Sequence, residues 1–554
     1  MKKIYSTLLF ALLGAPMLTS CVEEVNPQTS YITAEQGTSA PGAFDKFVTS
    51  LTSTLNGQFT YNGSSHSVWD YGYPSFFLTR DVEGQDVVPV GTNNWYQTWY
   101  NDVSYLAPGW AVTQLPWTYY FTWIKNCNSV IAMVNGNPKD TEKPGLGIAY
   151  AIRAMMYLDI ARMYAAESYN SNPQALTVPK ITEATSFEQA ANNPRVPFDE
   201  MLDFIISDLD EAEKYLDGYV RADVYTPDVS VVYGLKARAY LEKQDYPKAA
   251  EYAKKAQAGY TIMDEAAYTS RDTGFNSPNK SWMFGLTFRP TDPNILENDG
   301  DSSWGSVMIL ENGFDCGYAA NYGGPNVIDR HLYETIPATD FRKKCFVDFA
   351  IDDMEEEDMI TALEAYSYYP ERLLATADAA QYGPGGLSLK FRNASGKADV
   401  KYDAWVVAVP LMRVEEMYLI EAEAVGMQPG KENEGIQLLT QFALTRDPGY
   451  VYGTHNEAYY NMSTPKFQNE VWWQRRVELW GEGFATFDIK RLDKGIIRSY
   501  ANSNHIEGFR WNTPDGVPNW MIWCFGGTEP DYNKGLVQNP NPVQPDGDSP
   551  EFTW

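Results

Sequence analysis

Residues 469–492 read N-E-V-W-W-Q-R-R-V-E-L-W-G-E-G-F-A-T-F-D-I-K-R-L. The stretch sets Arg475, Arg476, Glu478, Glu482, Asp488 and Arg491 among Trp472, Trp473, Leu479, Trp480, Phe484 and Phe487. On a helix Arg475 and Glu478 stand three apart, and Glu478 and Glu482 four apart, so they share a face. Val471, Trp472, Leu479 and Trp480 form an overlapping apolar stripe. Gly481 and Gly483 then permit a sharp change of direction. Charges this close to a tryptophan stripe are costly to bury unless they are paired. Two readings are open: a carboxylate site for acid–base chemistry, or an ionic clasp that locks helices to their neighbours. Every carboxylate here has an arginine within reach and none is isolated in an apolar run, which favours the clasp.

The chain around this stretch has 554 residues, 44% of them hydrophobic and 21% charged, and that composition is globular rather than disordered or collagenous. A formal charge of −29 repels phosphate backbones and argues against nucleic acid as a partner. The 38 Tyr and 16 Trp supply aromatic surface for a core, a ligand platform or both. At the N-terminus, Lys2 and Lys3 precede an apolar run over 4–18 that is too short for a stable membrane span. Leu18-Thr19-Ser20-Cys21 follows, and small residues before a cysteine at that point look like a bacterial lipoprotein signal. Residues 1–20 are therefore expected to be removed, Cys21 to be lipidated, and residues 21–39 to act as a tether. Glu23 and Glu24 resemble the surface-export signal of Bacteroidetes lipoproteins. The other cysteines, Cys127, Cys316, Cys345 and Cys524, allow three full disulfide pairings or none.

Apolar spacing predicts helices over 44–55, 117–134, 148–166, 198–216, 231–241, 247–258, 411–425 and 434–442. The 148–166 segment is apolar almost all round, with Gly147, Ala151, Ala154 and Ala161 for close approach. Residues 231–258 read as a helical hairpin. Tyr233, Ala237, Tyr240, Ala249 and Ala256 sit at tetratricopeptide spacing there. Residues 64–110 hold many aromatics broken by Gly, Asn, Asp and Pro, and read as a loop-rich aromatic surface. Residues 268–400 read as an irregular insertion of loops, short strands and a few helices. The tail from 511 is rich in Pro, Gly and Asn and is expected to wrap the surface.

Catalytic motifs are missing. His66, His331, His455 and His505 are scattered, and no H-E-x-x-H, P-loop, G-x-S-x-G or strand-led G-x-G-x-x-G occurs. Gly396-Lys397 comes nearest to a P-loop but has Phe391 and Ala398 where glycine and Ser/Thr belong. The acidic run over 297–301 fails the EF-hand spacing.

Several stretches, in order along the chain, resemble the SusD/RagB family of Bacteroidetes outer-membrane nutrient-binding lipoproteins. They are Trp123-Ile124-Lys125-Asn126-Cys127-Asn128, Ala151-Ile152-Arg153-Ala154 with Met156-Tyr157-Leu158, and Leu235-Lys236-Ala237-Arg238. Arg413-Val414-Glu415-Glu416 with Glu421-Ala422-Glu423-Ala424 follows, then Arg475-Arg476-Val477-Glu478-Leu479 with Glu482-Gly483 and Phe487-Asp488. Asp340-Phe341-Arg342 is similar to the family's D-P-R with Phe for Pro, and 538–542, Q-N-P-N-P, to its C-terminus. The resemblance implies a mainly α, SusD-like fold over 40–554. Tetratricopeptide-like helical hairpins would form a scaffold, and an irregular loop-rich subdomain, about 266–400, would pack on it. It also implies a non-enzymatic lipoprotein that holds a glycan, or in some members a peptide, for a TonB-dependent (SusC-like) transporter, with no cofactor. On this reading Arg475, Glu478, Glu482 and Asp488 are scaffold.

Sugar rings stack their apolar faces on aromatics and give their hydroxyls to polar side chains. Two segments offer both: Arg80, Asp81, Asn94, Trp95, Trp99 and Asn101 in the first, and Trp304, Tyr318, Asn321 and Tyr322 in the second. At least one of Trp95, Trp99 and Trp304 is expected to stack on ligand. The rival readings are an all-helical glycoside hydrolase using Asp81 and Asp86, and a tetratricopeptide-type adaptor for protein partners.

Overall fold

The computed structural model describes residues 40–58, 68–91, 94–134, 136–296, 302–311, 317–319, 324–366, 383–394, 400, 403–456 and 464–554. The periodic segments fold as helices: α1 (Ala43–Ser53), then α2 (Ser75–Glu83), α3 (Gln114–Val134), α4 (Lys143–Tyr164) and α5 (Phe198–Leu216). The hairpin follows as α6 (Val229–Glu242) and α7 (Tyr246–Ala256), with Pro247 in the first turn of α7, where its missing N–H has no helical acceptor to lose. Later come α8 (Glu356–Glu364), α9 (Val414–Gly426), α10 (Glu432–Ala443), α11 (Lys466–Glu478) and α12 (Ala485–Arg491). Successive helices pack on one another from α3 to α7, then α7 on α9, α9 on α10, and α11 on α9 and α10. Residues 44–554 form one compact unit.

Buried arginines tie each layer to the next, and they are the arginines of the recurrent motifs. Arg153 on α4 forks onto Asp208 on α5 at 2.8 and 2.7 Å. Arg238 on α6 forks onto Glu416 on α9 at 2.8 and 2.6 Å. Arg491 on α12 grips Glu423 on α9 at 2.5 and 3.1 Å. Glycine lets the layers close: a Cβ at Gly147 would lie 2.7 Å from Leu216 Cγ.

The strands are short and paired in twos. They are β1 (Val87–Pro89), β2 (Leu176–Pro179), β3 (Arg195–Pro197), β4 (Trp282–Thr287), β5 (Asn326–Ile328) and β6 (Ala408–Arg413). The pairs β1–β5, β2–β3 and β4–β6 are all antiparallel. Three sequence expectations change here. Residues 411–413 end a strand rather than begin a helix, because β4 takes their backbone bonds from Trp282↔Arg413 to Thr287↔Ala408. Residues 68–110 are largely core rather than an aromatic surface: Tyr71, Tyr73, Phe76, Phe77, Tyr96, Trp99 and Tyr100 are all buried. The tail enters the core at Trp511, Trp520, Trp523 and Phe525 before it runs over the surface. Asn539 then pins it, its amide donating to Tyr164 and Trp523 carbonyls at 2.8 Å while its oxygen accepts from Arg195. Cys127, Cys345 and Cys524 are buried free thiols. Cys21, Cys316, the 297–301 run and 396–397 lie outside the described residues.

Candidate functional site

The stretch that opened the sequence reading proves to be the ionic centre of the scaffold. The Glu478 carboxylate is fully buried and takes Arg413 at 3.1 Å, Arg446 at 3.1 and 3.2 Å and Arg342 at 3.3 Å. Burial pushes its pKa up, but the surrounding guanidiniums outweigh burial and hold it well below the usual carboxylate range. Glu482 is held by both arms of Arg413, at 2.9 and 2.8 Å, and by Lys390 at 2.6 Å. Asp488 bridges Arg475 at 2.7 Å and Arg491 at 3.1 Å. For both acids burial again opposes, and the cations again win, a lowered pKa. No carboxylate of the four-residue clasp is held as a proton donor, so the acid–base reading fails.

Asp81 and Asp86, the acids of the hydrolase reading, belong to the same assembly. Asp81 on α2 caps α12 from outside, accepting from Gly483 N at 2.9 Å and Ala485 N at 3.1 Å. Burial raises its pKa to about 7 against the pull of those N–H groups. Asp86 is clamped by Arg476 at 2.6 to 3.1 Å. The cavity they share is about 20 Å³, room for a single water and not for a sugar. Arg80 is likewise internal, donating to Gly483 O at 3.0 Å and Tyr120 Oη at 3.2 Å, with its guanidinium 4.5 Å from the centroid of Phe487.

The aromatic candidates divide by burial. Trp99 is 3% exposed and Trp304 1%, whereas Trp95 is 38% exposed and Tyr318 half-buried. Trp304 fills the core, with edge contacts to Tyr71, Phe77 and Phe391 at 6.3, 6.2 and 5.2 Å. Trp99 meets Trp69 edge to face at 5.7 Å. Asn94 and Asn101 are also buried and bind each other at 3.2 Å. Asn94 also closes its own turn, donating to Gly91 O at 2.9 Å and accepting from Tyr96 N at 2.9 Å.

Among the candidates, Trp95 and the half-buried Tyr318 form a pair that two distant segments build. The β1–β5 ladder is prolonged by Val90 N donating to Pro325 O at 3.2 Å, so the chain leaving β1 runs beside the chain entering β5. Trp95 and Tyr318 meet there with ring centroids 4.3 Å apart. Tyr318 N donates to Ser306 Oγ at 2.9 Å, which ties the second segment to the short helix Trp304–Met308. Gly324 lies beneath the pair: a Cβ there would sit 2.7 Å from Trp95 Cδ1. Sequence reasoning named both aromatics but missed Gly324, whose need for openness arises only from the packing. Asn321 and Tyr322 lie outside the described residues. Tyr105 and Trp110 form an exposed pair, edge to face at 4.3 Å.

The molecule is a helical scaffold locked by internal ion pairs, with Trp95 exposed at its edge. Residues 75–241 match the profile of a family described as starch-binding and associating with the outer membrane, and residues 273–541 match that of the SusD family. The chain belongs to the SusD/RagB family and is thus an outer-membrane-associated, glycan-binding protein rather than an enzyme. A SusD-like protein, P38, of Formosa agariphila is 26% identical over 71% of this chain and 74% of its own. The fold is similar to that of a SusD-like carbohydrate-binding protein from Bacteroides vulgatus, with TM-score 0.69, 22% identity and coverage of 90% and 97% of the two chains. It is also similar to that of surface glycan-binding protein A from Bacteroides thetaiotaomicron, with TM-score 0.63, 15% identity and coverage of 91% and 99%.

Proposed function

We propose that this chain is a cell-surface lipoprotein, anchored through Cys21, that binds an oligosaccharide at the Trp95–Tyr318 edge and delivers it to a TonB-dependent, SusC-like outer-membrane transporter. Residues 1–20 are its signal peptide, 21–39 its tether and 40–554 its single SusD-like domain, with the irregular insertion over about 266–400. The exposed Trp95 ring, braced by Tyr318, carries the ligand assignment. Such a ring offers a sugar face a flat apolar partner, and Asn94 closes the turn that precedes it. Asn321 and Tyr322, next in sequence to the pair, complete the candidate set. Arg80, Asp81, Asn94, Trp99, Asn101 and Trp304 are buried and are not offered to the ligand.

The lipoprotein signal and the family's association with the outer membrane support the anchor and the transporter. Affinity electrophoresis in gels containing starch, laminarin or other polysaccharides tests the ligand. At least one polysaccharide is expected to retard the wild type, and Trp95→Ala to abolish the retardation. Retardation by none, with binding to a peptide library instead, overturns the carbohydrate reading in favour of a peptide-binding member of the family. Co-purification from membranes of an outer-membrane transporter, lost when Cys21 is replaced by Ser, tests the anchor and the partner together.

A further inference from the structure

We propose that a second carbohydrate subsite, sized for one neutral sugar ring, lies between the C-terminal end of α1, the 223–226 turn and strand β4. The inference rests on the carbohydrate reading above but uses none of the residues of the Trp95–Tyr318 edge. The cleft has a volume of about 160 Å³, the room of about five waters at about 30 Å³ each, which suits a single ring and not a chain.

Its walls are fixed. The Asn56 amide donates to Thr287 O at 3.0 Å and to Asp292 Oδ2 at 2.7 Å, and Arg289 N donates to the same Oδ2 at 2.7 Å. Gly285 N donates to Val224 O at 3.1 Å, holding the turn against β4. Asp223 Oδ1 accepts from Tyr225 N at 2.9 Å and closes that turn. The half-buried Tyr225 lines the cleft beside Thr287, whose hydroxyl donates to Phe288 O at 3.2 Å.

What these walls present is unspent. Thr49, Ser50 and Thr54 each return their hydroxyl to a carbonyl of their own helix. Thr52 and Ser53, which line the cleft, make no such bond among the described residues. The Arg289 guanidinium and the second oxygen of Asp223 also have no partner there. A hydroxyl pair, a cation, an anion and an aromatic ring converging on one small space match the vicinal hydroxyls and apolar face of a sugar. Arg289 faces Asp223 in the lining, and Asp292 behind Asn56 adds a second carboxylate, so the site repels a uronic acid and favours an uncharged hexose.

Saturation-transfer NMR on the full chain, with methyl glucopyranosides, methyl mannopyranoside and methyl galactopyranoside as probes, tests the site. At least one probe is expected to give signal with the wild type and with Trp95→Ala. That signal should fall at least tenfold in the triple variant Thr52→Val, Ser53→Ala, Arg289→Ala, with the melting temperature unchanged. Should the triple variant melt early, Arg289→Ala alone is read in the same way. No signal from any probe, signal that survives in the cleft variants, or signal lost only in Trp95→Ala overturns the proposal. Polysaccharide retardation that survives Trp95→Ala fails the primary-site reading instead, and the methyl hexosides are scored separately from it.

Discussion

Residues 469–492 and the edge at Trp95 are both rich in tryptophan, and they use it in opposite ways. In the first, Trp472, Trp473 and Trp480 are buried among charges that are themselves buried and paired. In the second, Trp95 is exposed while its sequence neighbours Asn94, Trp99 and Asn101 are buried. The lesson is that residue type does not separate scaffold from site in this molecule. The separation lies in burial: Trp472, Trp473 and Trp480 are at most 3% exposed, and Trp95 is 38% exposed.

The comparison is tested hardest at Glu478. Glu478→Ala leaves Arg342, Arg413 and Arg446 buried without their shared anion and is expected to cost about 3–5 kcal/mol in urea unfolding. Normal stability with lost glycan binding would instead make this stretch part of the site.

The pH dependence has two opposite contributions. The folded pKa values of Glu478 and Glu482 lie below the unfolded reference of 4.5, so their stabilisation is present above that value and lost as pH falls through the folded values. Asp81 runs the other way: raised from 3.8 to about 7, it contributes fully below 3.8 and its contribution is lost as pH rises to about 7. Urea midpoints are therefore expected to drop steeply below about pH 4.5, and Asp81→Asn to flatten the milder slope between pH 4 and 7. Asp81→Ala, which uncaps α12, is expected to cost about 1–2 kcal/mol at pH 5 in the same assay.

At the edge the expected effects move from stability to affinity. Trp95→Ala should weaken glycan binding about tenfold or more, about 1.4 kcal/mol, with little change in melting temperature. A melting loss equal to that of a core tryptophan would place Trp95 with the scaffold. The smallest change is Gly324→Ala, whose methyl would press on Trp95 Cδ1. It should tilt the ring and reduce affinity a few-fold, read by titration with the retarding polysaccharide, while the fold holds.

Helix positions were legible because the amphipathic period is a local property. Phe198–Leu216 begins and ends where its spacing of four and three predicts. The clasp was legible too, since opposite charges in one apolar stretch have to be paired wherever they are buried. Which charges pair was not: Glu478 finds its partners at 342, 413 and 446, far away in sequence.

Burial decided the rest. Composition cannot tell Trp95 from Trp99, four residues apart, because their difference is set by what packs on them from residues 69, 318 and 324. The sequence alone determined a mainly helical, acidic chain with a paired ionic centre and no catalytic motif. Only the tertiary structure decided which aromatics reach solvent, because exposure depends on contacts between segments that the β1–β5 ladder brings together across more than two hundred residues.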